Sequence, residues 1–307
     1  MKLQRNVLLK NHTTFKIGGP AEYFFTAKTK KELIKAIKWA KNKKLPFFVL
    51  AGGSNVLISD EGYKGLVIKI ENCKLKIENC RIIAEAGAPL SQLVNLALRN
   101  GLTGLEWAAG IPGTVGGAIQ GNAGAFGGSM AGAVKTVEVL DIKDLRFKIY
   151  DPRGCQFSYR DSIFKKNHNL IILSCRLQLE RKNKETIKRK IQEYLDYRNK
   201  KHPKEPSAGS CFKNVEFKFF KKDFFKKFPE TQKVLKENVL PVAYLIDQCG
   251  LKGKKMGGAQ ISKVHPNFII NFNKATAKDI LGLINLVKKT VKKRFGINLE
   301  EEIQKIS

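Results

Sequence analysis

The stretch GLTGLEWAAGIPGTVGGAIQGNAGAFGGSMAG, residues 101–132, is dense in glycine and almost without charge. A regular helix suits it poorly, because glycine loses more backbone freedom on ordering than any other residue. A flexible linker is no better, since such linkers are Gly/Ser-rich rather than set with Ile, Val, Trp and Phe. What remains is a backbone that closely approaches something bound. Where side chains are missing, N–H groups can point at phosphate oxygens. Two candidate loops lie inside the stretch, Pro112-Gly113-Thr114-Val115-Gly116-Gly117 and Gly121-Asn122-Ala123-Gly124. A third, Gly52-Gly53-Ser54-Asn55, follows an apolar run, and Ser54, Asn55 and Thr114 add side-chain donors. Tight turns in a β-rich domain would explain any one of these loops alone; three in one domain favour a phosphate-bearing ligand.

The rest of the first half alternates helix and strand signals. Thr29 followed by Glu32 has capping-box spacing, and Leu33, Ile34, Ile37 and Ala40 recur at helical intervals up to about Asn42. Pro46 to Ala51 reads as a buried strand, as do the shorter runs Leu66 to Ile70 and Arg81 to Glu85. A helix opens after Pro89 and closes at Asn100-Gly101. Strand signals return at Thr136 to Leu140 and Leu170 to Leu173, and a basic helix is expected over Lys184 to Lys201. A further region starts near His202-Pro203 and contains a helix from Thr276, with Asp279 three residues on, to Gly296. The alternation in INLEEEI, in a strand, sets Leu299 and Ile303 on one side and Glu300 and Glu302 on the other. The expected division is residues 1–70, 71–200 and 201–307.

With 307 residues and 43% hydrophobic content the chain can bury a large core. Its formal net charge of +30 is spread over nearly every segment. That pattern is mainly a solvated lysine-rich surface; as a functional signal it attracts anions, whether nucleic acid, a membrane surface or a small polyanion. The six cysteines form no CxxC pair and no two histidines have metal-ligand spacing, so neither a metal nor a redox dithiol is indicated. No run of about 18 apolar residues occurs, so a soluble, cytoplasmic protein is expected.

GxxxxGK[ST] is absent, as is a strand-to-helix GxGxxG, which disfavours P-loop and Rossmann nucleotide enzymes. Arg160, in SYRDSIFK, suits a forked interaction with an anion or with developing negative charge, and a surface ion pair is the plainer reading. Ser210, in SAGSCFKN, lacks the GxSxG setting of an acyl-transfer nucleophile and reads equally well as a loop cap. Spacing alone makes Glu302 one of several surface acids. FKFFKKDFFKKF, residues 217–228, mixes aromatics with lysines as single-strand nucleic-acid surfaces do, and packed aromatics with solvated lysines explain it as well.

Taken in order, the blocks NHTTFKIGGPAEYF (11–24), AGGSNVLISDEGYKG (51–65), GLEWAAGIPGTVGGAIQGNAGAFG (104–127), YRDSIFK (159–165), GSCFKN (209–214), YLIDQCGLKGKKMGGAQIS with HPNFIIN (244–271) and FGINLEEEI (295–303) resemble the UDP-N-acetylenolpyruvoylglucosamine reductase family. The blocks span nearly the whole chain. The short spacer between Arg160 and Ser210 resembles the class of the family that lacks an inserted substrate-closing loop. Two features depart from the family pattern: Val215 stands where proline usually follows Phe212-Lys213-Asn214, and the Lys- and Phe-rich segment 216–240 is long for its position.

The resemblance implies an α+β chain: an FAD-binding fold of the vanillyl-alcohol-oxidase (PCMH) type in two subdomains, and a C-terminal α/β substrate-binding domain. It implies non-covalent FAD and, as hydride donor, NADPH, with reduction of the enolpyruvyl ether of a UDP-sugar. Hydride reaching the terminal carbon of that double bond leaves negative charge near the adjacent carbon and carboxylate. Arg160 and Glu302 match the family positions that stabilise this charge, and Ser210 matches its proton donor. The cofactor positions carried over are Gly52, Gly53, Ser54, Asn55, Pro112, Gly113, Thr114, Gly116, Gly117, Asn122 and Gly124. Those for substrate are Tyr159, Lys165, Lys213, Asn214, Gln260, His265 and Asn267. A monomer without a nucleic-acid or membrane partner is expected. Another FAD enzyme of the same fold, acting on an alcohol or sugar, is the alternative.

Overall fold

Thr29 opens the first long helix, Lys30–Asn42, with the box its spacing predicts: its hydroxyl accepts from the Glu32 N–H at 3.2 Å, and the Glu32 carboxylate accepts from the Thr29 N–H at 3.1 Å. The computed structural model describes residues 1–220, 223–235 and 239–307. Its packing forms two units: Met1–Val7, Pro20–Gly53 and Tyr63–Lys200 in the first, and Leu8–Gly19, Ser54–Gly62 and Lys201–Ser307 in the second.

In the first unit, strands Pro20–Ala27 and Phe47–Leu50 both run parallel to Tyr63–Ile70, which lies between them. The Lys30–Asn42 helix is the crossover that two parallel strands require. It buries Leu33, Ala36, Ile37 and Ala40, and each large aliphatic side chain so buried contributes about 1.5–3 kcal/mol. A second, antiparallel sheet has the order Arg146–Tyr150, Val134–Asp141, Leu170–Gln178, Arg81–Glu85, Leu75–Glu78. Its strand Leu170–Gln178 continues past the expected Leu173, with Cys175 and Leu177 buried on alternate positions.

The glycine-dense stretch turns out to hold two very short helices, Val115–Gln120 and Met130–Ala133, with a small antiparallel ladder of Gly124–Ala125 and Gly128–Ser129 between them. The Lys184–Lys201 helix, 18 residues long, closes the unit. It buries Ile187, and Tyr194 stacks on Phe126 of the glycine-dense stretch, the rings parallel with centroids 4.0 Å apart.

In the second unit, Ser207–Ser210, Phe268–Asn271, Ala259–Ile261 and Lys255–Met256 form an antiparallel sheet in that order. The 19-residue helix Ala277–Phe295 buries the stripe Ile280, Leu283, Ile284, Val287 and Val291. Thr276 and Asp279 form its capping box, and Gly296, at φ 71°, ends it in the left-handed conformation that costs glycine least. Asp60 adds a second N-terminal anchor, accepting from the N–H groups of Ala277 at 2.8 Å and Lys278 at 3.1 Å. Segment 54–62 is stitched to this unit through strand Val56–Ile58, which pairs in parallel with Gln304–Ile306.

INLEEEI is extended but is not a ladder strand. Glu301 makes a single bridge to Phe212, and regular pairing starts only at Gln304. The expected sidedness nonetheless appears, with Leu299 and Ile303 buried and Glu300 exposed. In the aromatic segment, Phe217 stacks on Phe225 at 5.3 Å, and Phe224, Phe228 and Phe295 form a chain of ring contacts. Packing thus accounts for part of the segment, while Phe219 stays exposed. Lys221, Lys222 and residues 236–238 of the long Lys- and Phe-rich segment lie outside the described residues.

Candidate active site

In the first unit, the loop carrying Gly52 and the loop carrying Gly113 meet backbone to backbone. A Cβ on Gly52 would lie 2.7 Å from the Gly113 Cα and 3.2 Å from the Thr114 nitrogen, so no larger residue fits. Gly53 follows at φ 62°. The second loop is pinned from behind: the Gly113 carbonyl accepts from Leu90, and the N–H groups of Val115 and Gly116 donate to the carbonyls of Ala88 and Ala86. Gly116 is glycine for packing, because a Cβ there would lie 2.8 Å from that of Ala86, whereas a Cβ on Gly117 would make only ordinary contacts, 3.6 Å from the Ala51 Cβ and 3.9 Å from the Thr114 hydroxyl. Pro112 is exposed.

Thr114 immediately precedes the Val115–Gln120 helix but does not cap it with its side chain. Its hydroxyl is buried and has no hydrogen-bond partner among the described residues. An orphaned buried hydroxyl costs about 1–3 kcal/mol, and a phosphate oxygen would remove that cost. Glycine walls in backbone contact, a positive-φ glycine and this hydroxyl fit the pyrophosphate of FAD.

Arg160 projects from a four-residue turn in which Ser158 and Asp161 exchange backbone hydrogen bonds at 3.1 and 3.2 Å, with Arg160 itself at φ 54°. Its Nη2 donates to the Gly124 carbonyl at 2.8 Å, and its guanidinium lies 5.3 Å from the Tyr159 ring centroid. Lys165 Nζ donates to the Arg160 carbonyl at 3.3 Å. Two further residues brace the turn. Asn122 Nδ2 donates to the Ser158 carbonyl at 2.8 Å, while its Oδ1 accepts from Ala131 N at 3.0 Å. Buried Ser162 donates to the Gln120 carbonyl at 2.7 Å and caps the next helical turn through Lys165 N. Sequence reading put Asn122 with the cofactor and gave Ser162 no role; Ser before an Ile-Phe-Lys-Lys helical turn was the available signal for a cap.

In the second unit, Ser210 and Glu302 sit on hydrogen-bonded neighbouring segments. Cys211 N donates to the Asn267 carbonyl at 2.7 Å on one side, and the Cys211 carbonyl accepts from Glu302 N at 2.8 Å on the other. Ser210 and Glu302 are both part-exposed, whereas Cys211 between them is fully buried, and burial, helped by the nearby Glu302 and Glu301 charges, pushes its thiol up to about 12. The neighbouring acids are engaged elsewhere: Glu300 pairs with Lys213 at 2.5 Å, and Glu301 with Lys288 at 3.0 Å and Lys305 at 2.8 Å.

Several carried-over substrate positions hold backbone in this unit. Asn214 Oδ1 accepts from Val242 N at the start of helix Val242–Gln248, Gln260 Nε2 donates to the Gly253 carbonyl, and Asn267 bonds Phe212. The His265 ring lies 4.9 Å from that of Phe268, with Nδ1 buried and unpartnered among the described residues. Ser54 is part-exposed, and Asn55 faces the C-terminal segment. Among the described residues no three His, Cys, Asp or Glu side chains are grouped to hold a metal ion.

Two family models match the chain: "UDP-N-acetylenolpyruvoylglucosamine reductase, C-terminal domain" over residues 201–306 and "FAD binding domain" over 21–144. The UDP-N-acetylenolpyruvoylglucosamine reductase of Caldanaerobacter subterraneus subsp. tengcongensis is 42% identical over 305 residues, 99% of this chain and 93% of that protein. The protein of that name from Clostridium novyi is 38% identical, over 99% and 92%. Among solved structures, UDP-N-acetylenolpyruvylglucosamine reductase (MurB) from Thermus caldophilus superposes with a TM-score of 0.79 at 35% identity and covers 100% of both chains. Glycine cradle, braced arginine and the paired Ser210 and Glu302 segments therefore sit in a chain that belongs to the UDP-N-acetylenolpyruvoylglucosamine reductase family.

Proposed function

We propose that this protein reduces the enolpyruvyl ether of UDP-N-acetylglucosamine to UDP-N-acetylmuramate with NADPH, a step of peptidoglycan precursor synthesis. Full-length likeness to reductases of that name carries the reading. The first unit holds FAD and the second the substrate. The loops carrying Gly52, Gly113 and Thr114 would hold FAD, and the chemistry it would supply is hydride transfer between NADPH and the terminal carbon of the enolpyruvyl double bond.

The remaining work falls to side chains of this chain. Arg160, locked to the Gly124 carbonyl by one nitrogen, presents a fixed cation to the substrate carboxylate. A preorganised charge of this kind acts without reorganisation cost as negative charge develops. The Ser210 hydroxyl supplies the proton to the adjacent carbon, and Glu302 completes the polar environment of the enol-like intermediate. Neutral hydroxyls are weak acids, so Ser210 acts only because it is held in place against a strongly basic centre. The polyanionic ligands find a chain of net charge +30, which raises their local concentration.

Among the described residues no helix is long and apolar enough to cross a membrane. A cytoplasmic monomer acting on a small UDP-sugar, with no nucleic-acid partner, is the reading we favour. The test is anaerobic NADPH oxidation by the yellow holoprotein with and without the enolpyruvyl UDP-sugar. Beyond the single equivalent that bleaches the flavin, NADPH oxidation is expected to require the sugar and to match it in amount. NADPH consumption indifferent to the sugar, or a colourless protein, overturns the proposal.

A further inference from the structure

Asn55 closes the Gly52-Gly53-Ser54-Asn55 loop, where a phosphate-facing role is the natural reading of its amide. The structure directs that amide elsewhere. Asn55 Nδ2 donates to the main-chain carbonyl of Glu302 at 3.1 Å, and the Asn55 carbonyl accepts from Gln304 N at 3.0 Å. These two bonds extend the parallel ladder of Val56–Ile58 with Gln304–Ile306 by one step towards the acid.

The Asn55 main chain is itself rigidly founded. Beyond the ladder, Ser59 N donates to the Ile306 carbonyl at 2.8 Å, and Asp60 is tied to the start of the Ala277–Phe295 helix. Glu302 is gripped from the opposite side, where its N–H donates to the Cys211 carbonyl at 2.8 Å, next to Ser210. Ile303, buried to 4% exposure, anchors the chain one residue on. Glu302 thus has its N–H on the Ser210 segment and its carbonyl on Asn55, so both peptide planes that meet at its Cα are held. Losing either bond lets one plane rotate, and the side chain swings with it.

We propose that Asn55 is a positioning residue for substrate reduction: its side-chain amide sets the direction in which the Glu302 carboxylate is presented, and does not hold the cofactor. This rests on the reading of Glu302 as catalytic.

The test uses holoenzyme carrying Asn55→Ala, Asn55→Asp, Glu302→Gln, or Asn55→Ala with Glu302→Gln. Asn55→Asp keeps the shape while replacing the donor by an acceptor, and it serves if the alanine variant folds poorly. FAD content and the rate of flavin bleaching by NADPH should match the parent in both Asn55 variants. Amide exchange in the 300–306 peptide should quicken. Flavin reoxidation by the enolpyruvyl UDP-sugar should slow roughly 10-fold, at little change in KM, as expected when a catalytic group is misplaced by a fraction of an ångström. The double variant should be no slower than Glu302→Gln alone.

Loss of FAD from the Asn55 variants overturns the proposal in favour of a cofactor role. Slowing that multiplies with that of Glu302→Gln overturns it in favour of an independent one. Parent-like Asn55 variants beside a slow Glu302→Gln overturn it while leaving Glu302 in place. A parent-like Glu302→Gln instead removes the reading of Glu302, and the proposal with it.

Discussion

Asn267 and Phe212 are joined by hydrogen bonds in both directions: Phe212 N donates to Asn267 Oδ1 at 3.1 Å and Asn267 Nδ2 donates to the Phe212 carbonyl at 2.9 Å. Both residues are buried, at 3% and 1% exposure, so cutting the pair strands two polar backbone groups away from water. Asn267→Ala is expected to cost about 1–3 kcal/mol in unfolding free energy for each group left unsatisfied. Urea denaturation followed by circular dichroism measures it; a cost within error of zero refutes this account of the clamp.

Ser210 and Cys211 are separable by half-reaction. Ser210→Ala should bleach with NADPH at the parent rate and regain colour about 10²- to 10⁴-fold more slowly on adding substrate. Cys211→Ala should regain colour at close to the parent rate. Stopped-flow absorbance at the flavin band resolves the two phases. Normal reoxidation of Ser210→Ala removes the proton-donor role.

The acids at 301 and 302 should also behave differently. Burial raises the Glu301 carboxyl, but hydrogen bonds and charge from Lys305 and Lys288 more than offset this, leaving it below the ordinary glutamate range. Its contribution to stability is therefore present above the unfolded glutamate pKa and lost as pH falls through the lowered folded value. Glu301→Gln should cost about 1 kcal/mol or less at neutral pH and leave turnover unchanged. Glu302→Gln should slow substrate reduction with FAD content intact. Equal loss of activity in both contradicts the assignment.

His265 gives a pH signature of the opposite group type. Burial holds its imidazole below the usual value, the Lys252 charge acts in the same direction, and a backbone hydrogen bond opposes both. The unfolded chain therefore takes up the proton first, so stability is full above about pH 6.5 and declines as pH falls below it. The melting temperature should drop less between pH 7.5 and 5.5 in His265→Gln than in the parent. Identical drops would mean that the ring does not titrate as its burial requires.

Brief treatment of the native protein with iodoacetamide at pH 8 should modify exposed Cys73 first. Cys155, Cys175 and Cys211, each held near 12 by burial, should stay unmodified until the protein unfolds. Peptide mass mapping distinguishes them, and early labelling of Cys211 would contradict the packing around Ser210.

Local signals translated well into structure where the energetics are local. The boxes at Thr29 and Thr276 and the left-handed stop at Gly296 need only residues a turn apart, and all three are present. The sidedness of INLEEEI survived because Leu299 and Ile303 had apolar surface to bury, although the ladder itself did not form. Asparagine side chains were another matter. Asn55, Asn122, Asn214 and Asn267 lie in the motifs that point to ligands, yet each is hydrogen-bonded to a backbone group 28 or more residues away. An amide serves a phosphate or a peptide group equally well, and residue type does not say which is nearer once the chain is folded. Sequence periodicity was equally silent on segments 8–19 and 54–62 joining the second unit.

The bond between Asn55 and Glu302 spans 247 residues. During synthesis at about 5–20 residues per second, the Val56–Ile58 strand emerges on the order of ten to fifty seconds before the partner that completes it. Through that interval its apolar edge has no native neighbour to pair with. The acid and its anchor therefore come together only after the whole stretch of chain between them has been made.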